Sequence, residues 1–342
     1  MKLDVMTGGA PLRQVQTLAR DAAAAGFSGL VVTEGARTAY LSCAAAALAA
    51  DLDLATGIAV AFPRSPMVTA EVARELAEVT GGRFRLGLGT QVRAHIERRY
   101  GAEFSPPGPR LREYVLALRA IFRAFRRQEP LAFEGRWWQL SLLPDAWSPG
   151  PSEVDDPPID IAAVNPWMLR MAGEVADGVH VHPLNTPTYV AESVVPNVRA
   201  GAEAAGRDPG AISLIIPVFT AVGDSDEERS RWREMARMQV AFYGSTPNYG
   251  FIFDQIGFEG TTPRIRERQK AGDVAGMASV ISDDLLDHFV VTSDWDGLGD
   301  ALVARYAGAA DRLVAYFAGP AWQRDPLSLE RWSAATARMA AG

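Results

Sequence analysis

The sequence is poor in the residues that build metal and disulfide sites. Cys43 is the single cysteine among 342 residues, so neither an internal disulfide nor a cysteine-rich metal site can form. Only four histidines occur, at His95, His180, His182 and His288. His180 and His182 share one side of a predicted strand and could chelate a metal, but a hydrolytic site needs further ligands and supporting carboxylates. We therefore expect no metal site.

Long apolar runs, the sequence pattern of a leader peptide and an excess of positive charge are not seen either. No stretch of about 20 apolar residues lacks charged or turn residues, so we expect no membrane span. Met1–Asp4 leads directly into a strand pattern, which predicts a cytoplasmic protein without a secretory signal. Asp and Glu (41) outnumber Lys and Arg (34), and the net charge of −7 argues against nonspecific nucleic-acid binding. These absences leave a small molecule as the expected partner.

Short β-rich runs alternate with amphipathic stretches of Ala, Leu and Arg along most of the chain. The strand candidates are Leu3–Met6, Gly29–Val32, Leu54–Ala61, Phe84–Leu88, Ile159–Ala163, Val179–His182, Ile212–Val222, His288–Thr292 and Arg312–Phe317. Repeated strand–helix units with apolar strands predict a parallel sheet covered by helices. Eight such units, one fewer than the candidates, complete an α/β fold of the (β/α)8 TIM-barrel type, so we expect residues 1–342 to form one domain of this type.

Two segments interrupt this alternation. Residues 128–158 are rich in proline, with a possible hairpin at Phe133–Leu140, and residues 245–285 mix glycine, proline and short helical patterns. We interpret both as insertions in a single barrel. The alternative, a doubly wound open sheet, usually carries a G-x-G-x-x-G turn after its first strand, and Met6–Pro11 does not match that motif.

In a (β/α)8 barrel the active site is built from the loops that follow the strands. This rule selects Thr7, Glu34, Phe62, Gln91 to His95, Asn165, His182, Phe219 and Phe317. Most of these side chains are uncharged, which suits a planar organic cofactor better than a hydrolytic metal. We expect Thr7 and Phe62 to contact substrate, and Glu34 and His182 to be the acid/base candidates. Glu34 could equally complement the dipole of the helix that follows it.

Two predicted helix starts could bind a phosphate through unpaired backbone N–H groups. One follows Ala163-Val164-Asn165, and the other follows Gln91-Val92 and contains His95. Ordinary turns solvated by water would show the same pattern. Arginines also cluster between Arg93 and Arg112, either as a positive rim for an anionic tail or as a solvated basic face.

Several segments together resemble the luciferase-like monooxygenase superfamily, most closely its actinobacterial oxidoreductases that depend on the deazaflavin coenzyme F420. The most specific is Thr80-Gly81-Gly82-Arg83-Phe84-Arg85-Leu86-Gly87-Leu88-Gly89, and it is accompanied by Phe62–Met67, Ala94–Gly101 and Met168–Gly178. The resemblance covers essentially the whole chain. It does not by itself separate the deazaflavin from FMN.

The resemblance implies hydride transfer between F420 and a small organic substrate, in a protein that is a homodimer. It also implies a cofactor ring in the barrel mouth, against a bulge of the third strand that often carries a non-prolyl cis peptide. Gly57-Ile58 is the matching position. The cofactor phosphate would then lie at the two helix starts, near Gln91, Val92 and His95 and near Ala163-Val164-Asn165.

The chain departs from the subgroup after the second strand. The subgroup reads Thr-Glu-x-x-His-Asp-Pro, whereas this chain reads Thr33-Glu34-Gly35-Ala36-Arg37-Thr38-Ala39. Relatives that oxidise sugar phosphates carry a catalytic histidine directly after the acidic residue, where Gly35 stands here. This argues against sugar-phosphate oxidation. It also leaves two alternatives open, an FMN-dependent luciferase-like monooxygenase and a non-catalytic cofactor-binding homologue.

Overall fold

Eight parallel strands close into a barrel in the computed structural model, which describes residues 1–316, 318–319, 322, 325 and 327–341. The strands in chain order are β1 (Lys2–Thr7), β2 (Gly29–Val32), β3 (Asp53–Thr56), β4 (Ala59–Val60), β5 (Phe84–Gly89), β6 (Phe133–Glu134), β7 (Gln139–Leu140), β8 (Ile159–Ala163), β9 (Gly178–Val181), β10 (Ser213–Val222), β11 (Val290–Ser293) and β12 (Arg312–Ala315). The barrel order is β1-β2-β3-β5-β8-β9-β10-β12 and back to β1. This closure confirms the (β/α)8 prediction and excludes the open sheet. Phe317, the predicted end of the last strand, lies outside the described residues.

Helices cover the barrel, and several begin at the signals that the sequence carries. They are α1 (Leu12–Ala24), α2 (Ala39–Ala47), α3 (Pro66–Val79), α4 (Arg93–Arg98), α5 (Pro107–Phe125), α6 (Pro166–Val175), α7 (Pro187–Tyr189), α8 (Val195–Ala204), α9 (Asp226–Gly244), α10 (Gly250–Asp254), α11 (Thr261–Lys270), α12 (Val274–Ser279), α13 (Asp283–Asp287), α14 (Leu298–Tyr306) and α15 (Leu327–Ala341). Ser65 caps α3 and Asn165 caps α6, each with proline at the first helical position. In the described part of the chain, no helix is long and apolar enough to cross a membrane.

The barrel interior is charged near the amino ends of its strands. Arg312 of β12 donates hydrogen bonds to Asp4 of β1 at 2.6 Å and to Asp53 of β3 at 2.8 Å. Arg85 of β5 donates to Asp160 of β8 at 2.6 and 2.8 Å. These pairs join strands that are far apart in sequence, so they help to hold the ring closed.

Above the charged pairs the interior becomes apolar, and a separate, larger core fills the space between strands and helices. The inner apolar layer consists of Val31, Ala55, Ile215 and Val314, with Met6 packed against them. Glycines at the starts of β2 and β9 make room for the charged pairs beneath this layer. A Cβ at Gly29 would lie 2.8 Å from Asp4 Oδ1, and one at Gly178 would lie 2.4 Å from Asp160 Oδ1.

The predicted third strand, Leu54–Ala61, is divided. β3 ends at Thr56, β4 covers Ala59–Val60, and the Gly57-Ile58 peptide bond between them is cis. β3 pairs with the first half of β5, and β4 pairs with its second half. A bulge therefore lies in the barrel wall at the position that the resemblance indicates.

The predicted strand His288–Thr292 is not a barrel strand, which corrects its placement among the repeated units. β11 begins at Val290 and pairs only with the outer half of β10, Phe219–Val222. The inner half of β10 pairs with β9 and β12, so the ring is complete without β11. An apolar run alone does not distinguish β11 from the barrel strands β9 and β12, because each of these strands has one edge paired with β10.

Both predicted insertions leave the barrel. In the first, β6 and β7 form the expected hairpin, and Glu113 of α5 accepts hydrogen bonds from the backbone N–H groups of Arg136, Trp137 and Trp138 at 2.7–3.0 Å. Trp138 packs edge-on against Tyr114, as expected of a packing residue. The second consists of short helices, α10 to α13, after the end of α9.

Candidate active site

Hydrogen bonds from β2 and its following loop hold the bulge at the barrel mouth. The Gly57 N–H donates to the Val32 carbonyl at 2.8 Å, and Thr33 Oγ1 donates to the Gly57 carbonyl at 2.7 Å. The Glu34 N–H donates to the Ile58 carbonyl at 3.1 Å. A Cβ at Gly57 would lie 2.3 Å from Val31 Cγ1, so the bulge requires glycine there.

The Glu34 side chain is buried and binds a cation. The Val60 N–H donates to Oε2 at 2.7 Å, while Arg64 donates to Oε2 at 3.0 Å and to Oε1 at 2.5 Å. The Arg64 guanidinium also lies over the Tyr40 ring, 5.0 Å from its centroid. The carboxylate thus links the loop after β2 to the bulge strand β4.

His180 in β9 and His182, which follows β9, occupy different levels of the barrel. His180 is 6% exposed, and its Nε2 lies 3.6 Å from Asp160 and makes no hydrogen bond to the described residues. Burial alone would raise the pKa of Asp160, but the His180 ring and the Arg85 guanidinium outweigh it and lower that pKa. His180 packs beside Gly57 and Gly87, beneath the bulge.

His182 lies at the mouth and is neutral. Its Nδ1 accepts the Leu184 N–H at 3.0 Å, so Nε2 carries the ring proton. Burial lowers the pKa of His182 to about 3. Among the described residues no acceptor lies within hydrogen-bond distance of Nε2. His182 therefore offers one fixed N–H donor to whatever occupies the mouth.

Two tyrosine rings pack against His182, and a third tyrosine contacts one of them through its hydroxyl group. The Tyr243 ring is 4.9 Å and the Tyr249 ring 4.4 Å from the imidazole. The Tyr243 and Tyr316 hydroxyls are 2.6 Å apart. Burial raises the pKa of each of these three phenols, so all remain protonated at neutral pH. We call His182, Tyr243, Tyr249 and Tyr316 the uncharged wall.

The predicted phosphate-binding helix starts are partly capped by their own residues. Before α6, Asn165 Oδ1 accepts the Met168 N–H and the Asn165 carbonyl accepts the Leu169 N–H, while Pro166 has none. Ala163 ends β8, and the Val164 carbonyl accepts the Tyr189 hydroxyl. In the first turn of α6, the Trp167 N–H therefore remains available to bind an anion.

The second helix start is similar. Gln91 has a positive φ of 56°, and its side-chain oxygen accepts the Val92 N–H at 3.0 Å. The His95 N–H donates to the Val92 carbonyl, and the His95 side chain is exposed. Arg93 in the same helix pairs with Glu97. An anion would therefore meet the N–H groups of residues 93 and 94 and exposed side chains nearby.

Phe62 and the arginine cluster pack into the rim of the barrel. Phe62 is 5% exposed and lies beneath the Arg110 guanidinium, 4.8 Å from ring to Cζ, with Trp138 on a second side of that cation. Arg112 pairs with Glu174. Much of the predicted positive rim is thus neutralised, and Phe62 is mostly covered by its neighbours.

The structure brings several of the predicted mouth residues together and adds others. Thr7 ends β1, and its carbonyl accepts the Thr33 N–H beside the bulge. Residues that sequence reasoning did not select are Thr33, Arg64, Tyr243, Tyr249 and Tyr316. Arg64 lay within the resembling run Phe62–Met67, which was a usable signal. No sequence signal marked the three tyrosines, because they lie in α9, in the second insertion and directly after β12.

Uncharged groups line two sides of the mouth. The wall is aromatic, and its histidine and phenols carry no charge at neutral pH. The opposite side is backbone of the bulge, with Ile58 over Gly89, where a Cβ would lie 2.8 Å from Ile58 Cδ1. Among the described residues, no three His, Cys, Asp or Glu side chains come together as metal ligands.

Sequence comparisons match this chain to characterised and uncharacterised relatives. The model of the family described as luciferase-like monooxygenase matches residues 2–312. An uncharacterized protein of Mycobacterium tuberculosis is 38% identical over 298 residues, covering 86% of this chain and 88% of that protein. The 5,10-methylenetetrahydromethanopterin reductase of Archaeoglobus fulgidus is 27% identical, covering 72% of this chain and 70% of its own length.

Solved structures share the fold over nearly the full length. The coenzyme F420-dependent tetrahydromethanopterin reductase of Methanopyrus kandleri superposes with a TM-score of 0.76 at 18% identity, covering 98% of this chain and 97% of its own. An F420-dependent secondary alcohol dehydrogenase gives 0.74 at 16% identity, covering 99% and 98%. A Baeyer–Villiger monooxygenase component of Pseudomonas putida, solved with FMN, gives 0.67 at 18% identity, covering 100% and 98%.

Proposed function

The chain belongs to the luciferase-like monooxygenase family, and we propose that it transfers a hydride between the deazaflavin F420 and a small organic substrate. The family consists of oxidoreductases and monooxygenases, so the general class of chemistry is oxidoreduction. The F420 assignment is supported by the sequence relatives that are named reductases. It is supported further by fold neighbours that are named as F420-dependent.

The proposal depends mainly on one observation. The Gly57-Ile58 bulge and the uncharged wall lie on opposite sides of the same barrel mouth. A hydride acceptor or donor needs a site that orients a flat ring and excludes water, and charged groups that attract water would work against this. Here the Glu34 carboxylate at the mouth is bound by Arg64. The polar groups of the uncharged wall are neutral donors.

The residues that would hold the cofactor follow from this arrangement. Gly57 and Ile58 would support the ring, and the helix starts at Gln91, Val92 and His95 and at Ala163-Val164-Asn165 would receive its phosphate. When bound, a deazaflavin supplies two-electron hydride chemistry. The protein contributes orientation through the bulge and fixed hydrogen-bond donors through the wall. Thr7 remains the proposed substrate contact beside the bulge, and Phe62 the one at the rim.

An FMN-dependent monooxygenase is the second candidate, because the matched family is described as monooxygenases and a fold neighbour was solved with FMN. A non-catalytic cofactor-binding homologue is the third, motivated by Gly35 in place of a histidine. The second candidate differs from the first proposal in binding FMN and consuming oxygen. The third differs in binding a cofactor without transferring a hydride.

Fluorescence titration of the purified protein with F420 and, separately, with FMN tests the proposal. Micromolar binding of F420 without binding of FMN is the expected result. FMN binding with oxygen consumption would replace the proposal with the second candidate, and F420 binding without any hydride transfer would favour the third. Failure of both cofactors to bind would overturn it.

A matched pair of variants locates the site. Ile58→Ala removes a partly buried aliphatic side chain from the bulge, and Leu143→Ala removes one from the first insertion. We expect Ile58→Ala to weaken F420 binding about tenfold, the effect of losing roughly 1.4 kcal/mol of contact. Leu143→Ala should leave the dissociation constant unchanged. Equal effects would place the cofactor elsewhere.

A further inference from the structure

The uncharged wall combines side chains that separate segments bring to one place. His182 follows β9, Tyr243 lies in the last turn of α9, Tyr249 lies near the start of the second insertion and Tyr316 follows β12. The two ring contacts to His182 and the hydroxyl contact of 2.6 Å join all four. Phenylalanine would pack equally well at the tyrosine positions, so the hydroxyl groups indicate a chemical role.

His182 can polarise a group but cannot give it a proton. Its Nδ1 is occupied by the Leu184 N–H, and the ring is neutral, so losing the Nε2 proton would create an imidazolate. A neutral imidazole N–H is instead a donor aimed at an uncharged acceptor. A carboxylate substrate would find no cation in this wall.

The Tyr243–Tyr316 pair can give a proton. Two hydroxyl groups hold two protons, and one of these lies between the oxygens. Phenols are stronger acids than alcohols, so an alkoxide developing nearby takes the phenolic proton. The second phenol then stabilises the phenolate through the short hydrogen bond.

Outside the uncharged wall, no described titratable group at the mouth fills this role as well. Glu34 accepts hydrogen bonds from Arg64 and the Val60 N–H, and Gly35 has no side chain. His180 lies beneath the bulge. The proton therefore has to come from the wall.

We infer that the substrate carries an uncharged carbonyl or imine, which His182 polarises through Nε2–H and which the Tyr243–Tyr316 pair protonates on reduction. This inference rests on the proposed hydride transfer. For a carbonyl, the carbon would accept a hydride from the reduced deazaflavin, which would be oxidised by two electrons, and a C–H bond would form. The π electron pair moves to oxygen, the oxygen takes the phenolic proton, and the phenolate regains a proton from water.

Kinetics test the tyrosine pair with acetophenone as the carbonyl probe. Tyr243→Phe and Tyr316→Phe should each lower kcat about 10²-fold, the usual loss when a general acid is removed. They should also reduce the solvent deuterium isotope effect and leave the F420 dissociation constant unchanged. Tyr114→Phe is the control, because its buried hydroxyl binds Thr69 and the Ser65 carbonyl away from the wall. Wild-type rates in both wall variants, or no reduction of acetophenone by the wild type, would overturn the proton role.

Infrared spectroscopy tests His182 without any cofactor. The carbonyl stretching band of bound ¹³C-acetophenone should lie at lower frequency in the wild type than in His182→Phe. His182→Gln, which keeps an N–H donor, should retain part of that shift. Coincident bands, or no bound band, would overturn the polarising role. Failure of F420 to bind the wild type would overturn the proposed function alone, because this comparison does not depend on it.

Discussion

At the scale of single residues, Glu34 shows how a retained acidic residue can have a positioning role. Both of its oxygens accept N–H donors, from Val60 of β4 and from Arg64. Its own N–H binds the Ile58 carbonyl. The sequence predicted an acid/base candidate at this position, and the geometry favours a residue that fixes the bulge.

Glu34→Gln should therefore weaken binding and stability together. The substitution leaves Arg64 without its counter-ion, and losing a hydrogen-bonded charge partner costs about 1.5–3 kcal/mol. We expect a lower melting temperature and similar losses in F420 affinity and in kcat/KM, with little further change in kcat. Glu129→Gln, which disturbs the half-exposed pair with Arg123, should change stability by less than about 0.5 kcal/mol. A loss confined to kcat would indicate proton transfer by Glu34 instead.

His182 should remain neutral throughout the physiological range. Tyr243 and Tyr249 face its ring, and neither is charged there. Because burial lowers its pKa to about 3, below the ordinary histidine value near 6.5, the unfolded chain binds the extra proton between these two limits. Its contribution to stability is therefore complete above about pH 6.5 and is lost as the pH falls toward 3. In the ¹⁵N NMR spectrum, the His182 signals should not titrate between pH 5 and 8, whereas a midpoint near 6.5 would contradict the assignment.

At the scale of helices, the crossing of α6 and α8 sets where the Asn165–Pro166 helix start lies. The two helices approach so closely that glycine is required on both. A Cβ at Gly173 would lie 2.1 Å from the Val198 carbonyl oxygen, and one at Gly201 would lie 1.9 Å from the Arg170 carbonyl oxygen. The contact atoms are backbone, so they cannot move aside as a side chain would.

Gly201→Ala should destabilise the protein although alanine is the better helix former. The added methyl group forces the helices apart, which costs about 1–3 kcal/mol net of a propensity gain near 1 kcal/mol. Urea unfolding measures the change. Ala204→Gly on the exposed side of the same helix should cost about 1 kcal/mol from propensity alone. A more stable Gly201→Ala protein would show that the crossing has room.

Helix starts and the hairpin were predictable because their signals are local. Ser65 with Pro66 and Asn165 with Pro166 indicate α3 and α6 within a few residues. The Arg64 partner of Glu34 could not be read in this way, because the loop after β2 and the bulge meet only once the barrel forms. The uncharged wall was missed for the same reason, since its tyrosines belong to elements far apart in sequence.

At the scale of the whole molecule, Arg312 joins the two ends of the chain. It binds Asp4 in the first strand and Asp53 in the third, and its side chain is 11% exposed. Burial opposes the charge on Arg312, but its hydrogen bonds to Asp4 and Asp53 outweigh that effect and raise its pKa. Alternating strands and helices predicted the barrel, but they gave no information on this ionic closure.

Arg312→Met should destabilise the fold by about 3–5 kcal/mol, because Asp4 would be left buried without a cation. Lys2→Ala is the matched control. Lys2 binds the same Asp53 but is 56% exposed, so its loss should cost less than about 1 kcal/mol. Chemical denaturation of both variants gives the two values, and a small effect of Arg312→Met would mean that the apolar layers close the barrel alone.

A long excursion of the chain, which contains half of the uncharged wall, begins at the end of β10 and ends beside the same strand. The chain leaves β10 at Val222 and returns at Val290, which is registered beside Phe219, three residues lower, or about 10 Å along the strand. The excursion is thus a block of chain with neighbouring ends. Tyr243 and Tyr249 lie within it, whereas His182 and Tyr316 directly follow barrel strands. A change confined to the excursion would therefore alter two of the four wall residues and leave the other two on the barrel.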